Sequence, residues 1–327
     1  MFDAVAVGSA TEDVFVVVRD TKIVRIEDAD STTAYLALPH GAKISVDQVK
    51  VLTGGGATNV SAGLAAMGLR AAALCKVGQD GPGERVVEDL RSRGVDTSLI
   101  VVSQEHATAY SVILMCFTGE RTILVHRGAS EQLTWEDVPE EKLAQTAWLY
   151  LGSMGGPAMA LFFELAEFAA SKGIRLALNP GSAQLKLGLD GLKPALKHAE
   201  LVVLNEAEAR LVTGVAPQRT RADEHEMLRM LVGAGCKMAV ITAGEDGADG
   251  YDGSAFYYVP AYRTQAVSTV GAGDSFIAGC IAALHRGLPL PEAMKIGAAN
   301  AASVVRQVGA KEGLLSWDEA EAFVKSH

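Results

Sequence analysis

The 327-residue chain is poor in cysteine: Cys75, Cys116, Cys236 and Cys280, with no Cys-x-x-Cys pair. That argues against a disulfide scaffold and predicts small buried thiols in a reducing compartment. The seven histidines show no His-Glu-x-x-His or other clustered metal spacing. No Gly-x-Ser-x-Gly elbow supports a hydrolase triad. No glycine run is followed by Lys-Ser or Lys-Thr, which excludes a Walker P-loop. No apolar run approaches the roughly 18 residues of a membrane span, and "VFVVV" is only strand-sized. The start, "MFDAVAVGS", carries Asp3 and no basic region, so no signal peptide is expected. Basic residues are also the minority: 29 Lys and Arg against 39 Asp and Glu, a net charge of −10. Such a chain is a poor binder of nucleic acid or anionic membranes, and a soluble cytoplasmic protein is expected. Anionic ligands would have to be met by local donors.

What is present is apolar and periodic. Hydrophobic residues make up 49% of the chain, enough for a sizeable core, and the length suggests about two domains or one large α/β domain with an appendage. Strand-like runs at 2–8, 71–78, 147–153, 174–181, 199–205 and 237–244 alternate with helical segments. Among the latter are 83–93, a helix opened by Pro157 and running to about Lys172, and three at 273–286, 291–306 and 316–325, the last with Ser316 and Glu319 as a capping box. This alternation predicts a mainly parallel sheet covered by helices on both faces. A second group of β-rich runs, 14–18, 34–38, 108–116 and 121–128, has no helices between its members; "TGE" at 118–120 is a hairpin turn candidate. In a parallel sheet, ligands sit beyond the carboxyl ends of the strands, so the loops there are the ones to inspect.

Five of these loops could carry chemistry. "STVGAGDSFIAG" (268–279) leads into a helix apolar on nearly all sides. Its first amides favour an anion, and Gly271, Ala272 and Gly273 leave the backbone open to a phosphate. Asp274 there is either a helix cap or a base. "TGGGATNVSAGL" (53–64) is a second glycine run opening a helix, with Asn59 one turn in. In "LNEAEARLVTG" (204–214), Asn205 can cap a helix, and Glu208 on the same face can either favour the dipole or orient water on a metal. Thr242 and Gly244 end a strand in a turn that fits phosphate or is simply a turn. Asp13, in "VGSATEDVF", is a solvated loop acid or an acceptor for sugar hydroxyls.

Taken together, "GGGATN", "NEAE", "STVGAGDSFIAG" and "AANAASVVRQVGA" (298–310) resemble, in that order, the motifs of the ribokinase-like (PfkB) carbohydrate kinases. The resemblance implies a three-layer α/β sandwich with a mainly parallel central sheet and a small β-sheet lid. It places the core at 1–8, 47–106 and 128–327, and the lid, also a possible homodimer surface, at 9–46 and 107–127. It implies ATP-dependent transfer to a hydroxyl of a small sugar, with a nucleoside as the alternative acceptor and a non-catalytic sugar-binding regulator as the rival class. A Rossmann dehydrogenase is disfavoured, since no Gly-x-Gly-x-x-Gly opens the first strand–helix unit. By the resemblance Asp274 is the base, and Gly271, Ala272, Gly273 and the Asp274 amide form the anion hole. Asn205 and Glu208 organise Mg²⁺ through water, Thr242 and Gly244 meet the nucleotide phosphates, and Asn300 lies near the nucleoside. Asp13, Gly55, Gly56 and Asn59 hold the sugar. Ser268 stands where the family's second signature usually begins with an aspartate tied to a monovalent cation, so potassium activation is not expected. Arg127, in "HRGAS", is read as a rim charge rather than an anchor for an acidic sugar.

Overall fold

The computed structural model describes residues 1–18, 21–27, 32–115, 121–216 and 221–327. Its main sheet has eight strands, in spatial order Ala71–Leu74, Ala4–Val7, Trp148–Leu151, Arg175–Leu178, Leu201–Asn205, Met238–Thr242, Ala248–Tyr251 and Phe256–Val259. The first six run parallel and the last two antiparallel. The strands 4–7, 71–74 and 148–151 are buried at every residue. That follows from uninterrupted apolar sequence, because a parallel strand between two helix layers has no solvent face.

Helices Ala158–Lys172, Gly188–Leu196, Glu206–Thr213 and Arg221–Gly233 cover one face through Phe162, Leu196, Val212 and Leu228. Helices Gly56–Ala66, Ala272–His285 and Leu290–Val304 cover the other through Leu64, Ile281 and Met294. Each such side chain contributes on the order of 1.5–3 kcal/mol by leaving water. The result is the expected three-layer α/β sandwich with a small separate sheet. Cys75, Cys236 and Cys280 are free and buried, and Cys116 lies outside the described residues.

The small sheet orders its strands as Arg121–His126, Ala109–Met115, Thr11–Val17 and Gln48–Gly54. A hairpin of Lys22–Glu27 and Thr32–Ala37 accompanies it. Arg121–His126 and Ala109–Met115 pair antiparallel, while the proposed turn at 118–120 falls outside the described residues. Two boundaries differ from the sequence reading. Gln48–Gly54, there assigned to the core, pairs along its full length with Thr11–Val17. Its Val49 and Val51 alternate with polar residues and stay exposed, as an edge strand permits. The single run 71–78 is split: Lys76–Gly78 leaves the main sheet and pairs with Val101–Ser103.

Candidate active site

The site gathers at the carboxyl ends of the parallel strands. Its floor begins where the first strand ends. Gly54 and Gly55 bring the glycine loop 54–56 close against that connection. A methyl on Gly54 would sit 2.0 Å from Asp13 Oδ2. Gly55 has φ +101°, and a methyl there would meet the Ser9 carbonyl oxygen at 2.4 Å. The Gly56 amide donates to Ser9 Oγ at 3.1 Å, so the start of helix 56–66 is fixed to the loop after the first strand. Asp13 accepts from Thr11 Oγ1 at 3.0 Å. Burial raises its carboxyl pKa, opposed by hydrogen bonds from Ser111 and Thr11.

A cavity of about 390 Å³ extends from Asp13 to Thr269, Val270 and Gly271, with the small sheet supplying Ile113 and Ile123 as its apolar wall. This is the size range of small-molecule sites. Arg127 lies at its edge, half exposed, and faces Glu131 at 3.4 Å. Its charge is already matched, in keeping with a rim role.

The second glycine turn closes the other end. Gly271 caps helix 272–285 in the left-handed conformation, φ +79° and ψ 2°, and its carbonyl accepts from the Ser275 amide at 2.9 Å. A helix has no internal acceptors for its first amides. Space around Gly273 is open: a methyl there would meet nothing within 4 Å. Behind the turn the helix is buried from Ser275 to Leu284. Amide dipoles at such an end favour an anion.

Asp274 stands in the first turn of this helix. Asn59 Nδ2 donates to Asp274 Oδ2 at 2.8 Å, across 215 residues of sequence. The carboxyl retains some accessible surface, yet the surrounding protein desolvates it and raises its pKa to about 6. Asn59 opposes the rise, Glu208 adds to it, and Lys311 lowers it. The helix therefore has an acid in the capping region that no backbone cap explains: no side chain caps this terminus. Asp274 and Asn59 thus come together three residues beyond Gly271, which lines the cavity; Asp13 lines it directly, and Gly56 is tied to it through Ser9.

Asn205 and Glu208 form a reciprocal capping box: each backbone amide donates to the other's side chain at 2.9 Å. One Glu208 oxygen is so engaged, and burial raises this carboxyl's pKa. Its charge also helps raise the pKa of Asp274 and of the Tyr150 phenol. Among the described residues no group of three or more His, Cys, Asp or Glu is placed to hold a metal by itself. Thr242 ends the neighbouring strand, and Gly244 follows in an open turn at φ +61° with nothing within 4 Å of its missing side chain.

Asn300, expected near the nucleoside, is engaged within the protein. It is fully buried, its Nδ2 donates to the Ser275 carbonyl at 2.8 Å, and its Oδ1 accepts from the Leu315 amide at 3.0 Å. The side chain ties helix 290–304 to its neighbours. Two residues were not foreseen. Tyr150 is buried on a central strand, with its hydroxyl 3.5 Å from where a Gly56 side chain would stand. Lys311 is buried, with its ammonium donating to Thr53 Oγ1 and Thr58 Oγ1. Neither has a local signal, since a lysine followed by a glutamate, as Lys311 is by Glu312, reads as solvated.

A profile described as pfkB family carbohydrate kinase matches residues 15–317. The chain belongs to that family. Ribokinase of Staphylococcus aureus (strain COL) is 26% identical over 277 residues, covering 84% of this chain and 89% of that protein. ATP-dependent ribose-1-phosphate kinase of Halopiger xanaduensis is 29% identical over 231 residues, covering 70% and 72%. The structure of Arabidopsis thaliana ribokinase complexed with ribose and ATP superposes with a TM-score of 0.84 at 22% identity, covering 99% of both chains. The fold is thus the ribokinase-like one, and the protein is a PfkB-type, ATP-dependent sugar kinase.

Proposed function

We propose that the chain phosphorylates a hydroxyl of a small neutral sugar, with Asp274 as the general base. The carrying observation is the desolvated Asp274 carboxylate, held by Asn59 in the first turn of a buried helix whose cap, Gly271, lines the same cavity as Asp13. The acceptor oxygen forms a bond to the γ-phosphorus of ATP, the bond to the ADP oxygen breaks, and the hydroxyl proton passes to Asp274. Phosphoryl transfer depends on positioning and charge stabilisation. Here Asp13, Gly55, Gly56 and Asn59 position the acceptor, and the amides of residues 271–274 meet the developing charge. The small sheet is the lid, at residues 9–46 and 107–127 together with strand 48–54, and its closure keeps water from competing. The matched Arg127–Glu131 pair favours a neutral acceptor.

Thr242 and Gly244 hold the nucleotide phosphates. Glu208 and Asn205 fit Mg²⁺ through water: one desolvated Glu208 oxygen lies outside the capping box, and Mg²⁺ commonly keeps several waters while bound to nucleotide phosphates. When bound, the ion neutralises charge on those phosphates. The exposed valines Val24, Val49 and Val51 make the lid's outer face the homodimer surface. No helix among the described residues is long and apolar enough to cross a membrane, and the acidic chain suits a cytoplasmic enzyme with no nucleic-acid partner.

A coupled ATP assay over a panel of sugars and nucleosides tests this reading. Turnover with pentoses or hexoses supports it; preference for nucleosides supports the alternative acceptor; tight sugar binding without turnover points to the regulator. The pH profile is a second test. The base must be ionised, so kcat/KM should rise with pH through about 6 and level off above. An acid limb near pH 4 would detach Asp274 from the chemistry. Potassium is the third. Ser268 carries a hydroxyl that accepts from the Val270 amide at 3.3 Å, with no carboxylate for a cation. Rates in sodium- and potassium-free buffer are therefore expected to match those in potassium, and strong activation would contradict this.

A further inference from the structure

We propose that Lys311 is a positioning residue that couples the acceptor loop to the anion hole, an inference that rests on the kinase reading of the site. Its side chain is only 4% exposed. The ammonium donates to Thr53 Oγ1 at 2.5 Å and Thr58 Oγ1 at 3.4 Å and pairs with Asp89 Oδ2 at 2.9 Å. Those three acceptors match its three N–H donors. Both hydroxyls are committed to present lone pairs to it. Thr53 Oγ1 donates its proton to Asp89 at 2.5 Å, and Thr58 Oγ1 donates to the carbonyls of Gly54 at 2.7 Å and Gly55 at 3.0 Å. The ammonium thus sets the backbone of the glycine loop through one intermediate atom.

The same residue is anchored on the anion-hole side. It follows Ala310, whose Cα lies 2.5 Å from where a Gly271 side chain would begin. Lys50, on the lid strand, donates to the Val308 carbonyl at 2.8 Å, which joins the lid root to this segment a second time. Arg93 holds it from behind, donating to Asp89 Oδ1 at 2.8 Å, to the Lys311 carbonyl at 3.0 Å and to Glu312 Oε1 at 2.9 Å. Segment 308–312 is therefore clamped between the lid strand and the anion-hole turn.

Stability alone does not account for this arrangement. A buried ion pair roughly offsets its own desolvation, and apolar side chains of similar size do as well or better. What a charge supplies here is orientation of two hydroxyls and a field at the carboxylates of Asp13 and Asp274, both of which it favours in the ionised form. The charged groups around Lys311 are Asp89, Arg93 and Asp13, and Glu208 is the other charge acting on Asp274.

The test uses the full chain and the panel sugar turned over fastest, with D-ribose, 2-deoxyribose and D-fructose tried first. Lys311→Met combined with Asp89→Asn removes both charges and keeps an amide oxygen at position 89 for Thr53 or Arg93, so the melting temperature should stay close to wild type. The acceptor KM is expected to rise about tenfold with the ATP KM unchanged, and the acid limb of kcat/KM to move up by about half a pH unit. Thr58→Val retains the ammonium but cuts its path to Gly54 and Gly55; it should raise the acceptor KM and leave the acid limb in place. Wild-type acceptor KM in Thr58→Val, or wild-type KM and pH profile in the folded double variant, overturns the proposal. If the wild-type chain turns over no sugar or nucleoside, the kinase reading fails. Calorimetric titration of the same three sugars then decides the coupling by whether Thr58→Val weakens their binding.

Discussion

Replacing Asp274 by Asn should lower kcat by about a thousandfold while ATP binding and the fold persist. A positioned general base is worth about 10²–10⁴ in rate, and the carboxamide is the same size but takes no proton. The stability sign gives an independent reading. The folded pKa of Asp274, about 6, lies above its ordinary value of 3.8. The native state therefore binds the proton more tightly than the unfolded chain, and stability declines as pH rises from about 4 to 6. Above that window the ionised, desolvated carboxylate is a full burden, and Asn removes it. Asp274→Asn should thus melt no lower than wild type at pH 7.5 and lose that advantage at pH 4. A helix cap would behave oppositely, since losing one costs about 1 kcal/mol and leaves turnover in place. Calorimetry at the two pH values beside the coupled assay separates these. Near-normal turnover in the variant removes Asp274 from the role of base.

The same residue shows how far sequence reading reaches. The helix behind Asp274 is apolar on every side, which already marked its amide end as a buried donor site. The parallel strands were equally legible, because Val5, Leu149 and Val203 lie in runs with no polar alternation, as double-sided burial demands. Helix ends with strong local chemistry also emerged: Gly173 in the left-handed conformation after Lys172, and the Ser316–Glu319 box. What escaped depends on partners far away in sequence. Strand 48–54 is defined by pairing with 11–17, and its alternating valines look like any half-exposed segment. The fate of Asn300 is set by Ser275 and Leu315. Burial of Lys311 is set by Asp89, Thr53 and Thr58, three residues on three other elements: helix Gly81–Ser92, strand 48–54 and helix 56–66. Local motifs announce a charged or small residue; they do not say which distant atom will neutralise it.

Gly271→Ala should reduce kcat by about a hundredfold, the scale of losing one preorganised oxyanion donor. Two separate effects act at this position. The backbone is left-handed at φ +79°, where a side chain costs about 1 kcal/mol or more. The added methyl would also lie 2.5 Å from both Ala310 Cα and Cβ, so backbone has to move on one side or the other. If the 270–272 turn gives way, the amides of the anion hole lose their alignment while the acceptor loop stays put. If segment 309–311 gives way, Lys311 shifts with it and the acceptor KM rises as well. Gly273→Ala separates strain from displacement, because that position has no positive φ and open space around it. Its melting temperature should match wild type, while that of Gly271→Ala falls by several degrees. Combining Gly271→Ala with Thr58→Val then shows which side moved. Effects on acceptor KM that simply add mean two independent sites, whereas a combined effect well below the sum means that the methyl at 271 already acts through Ala310, Lys311 and Thr58 on the glycine loop.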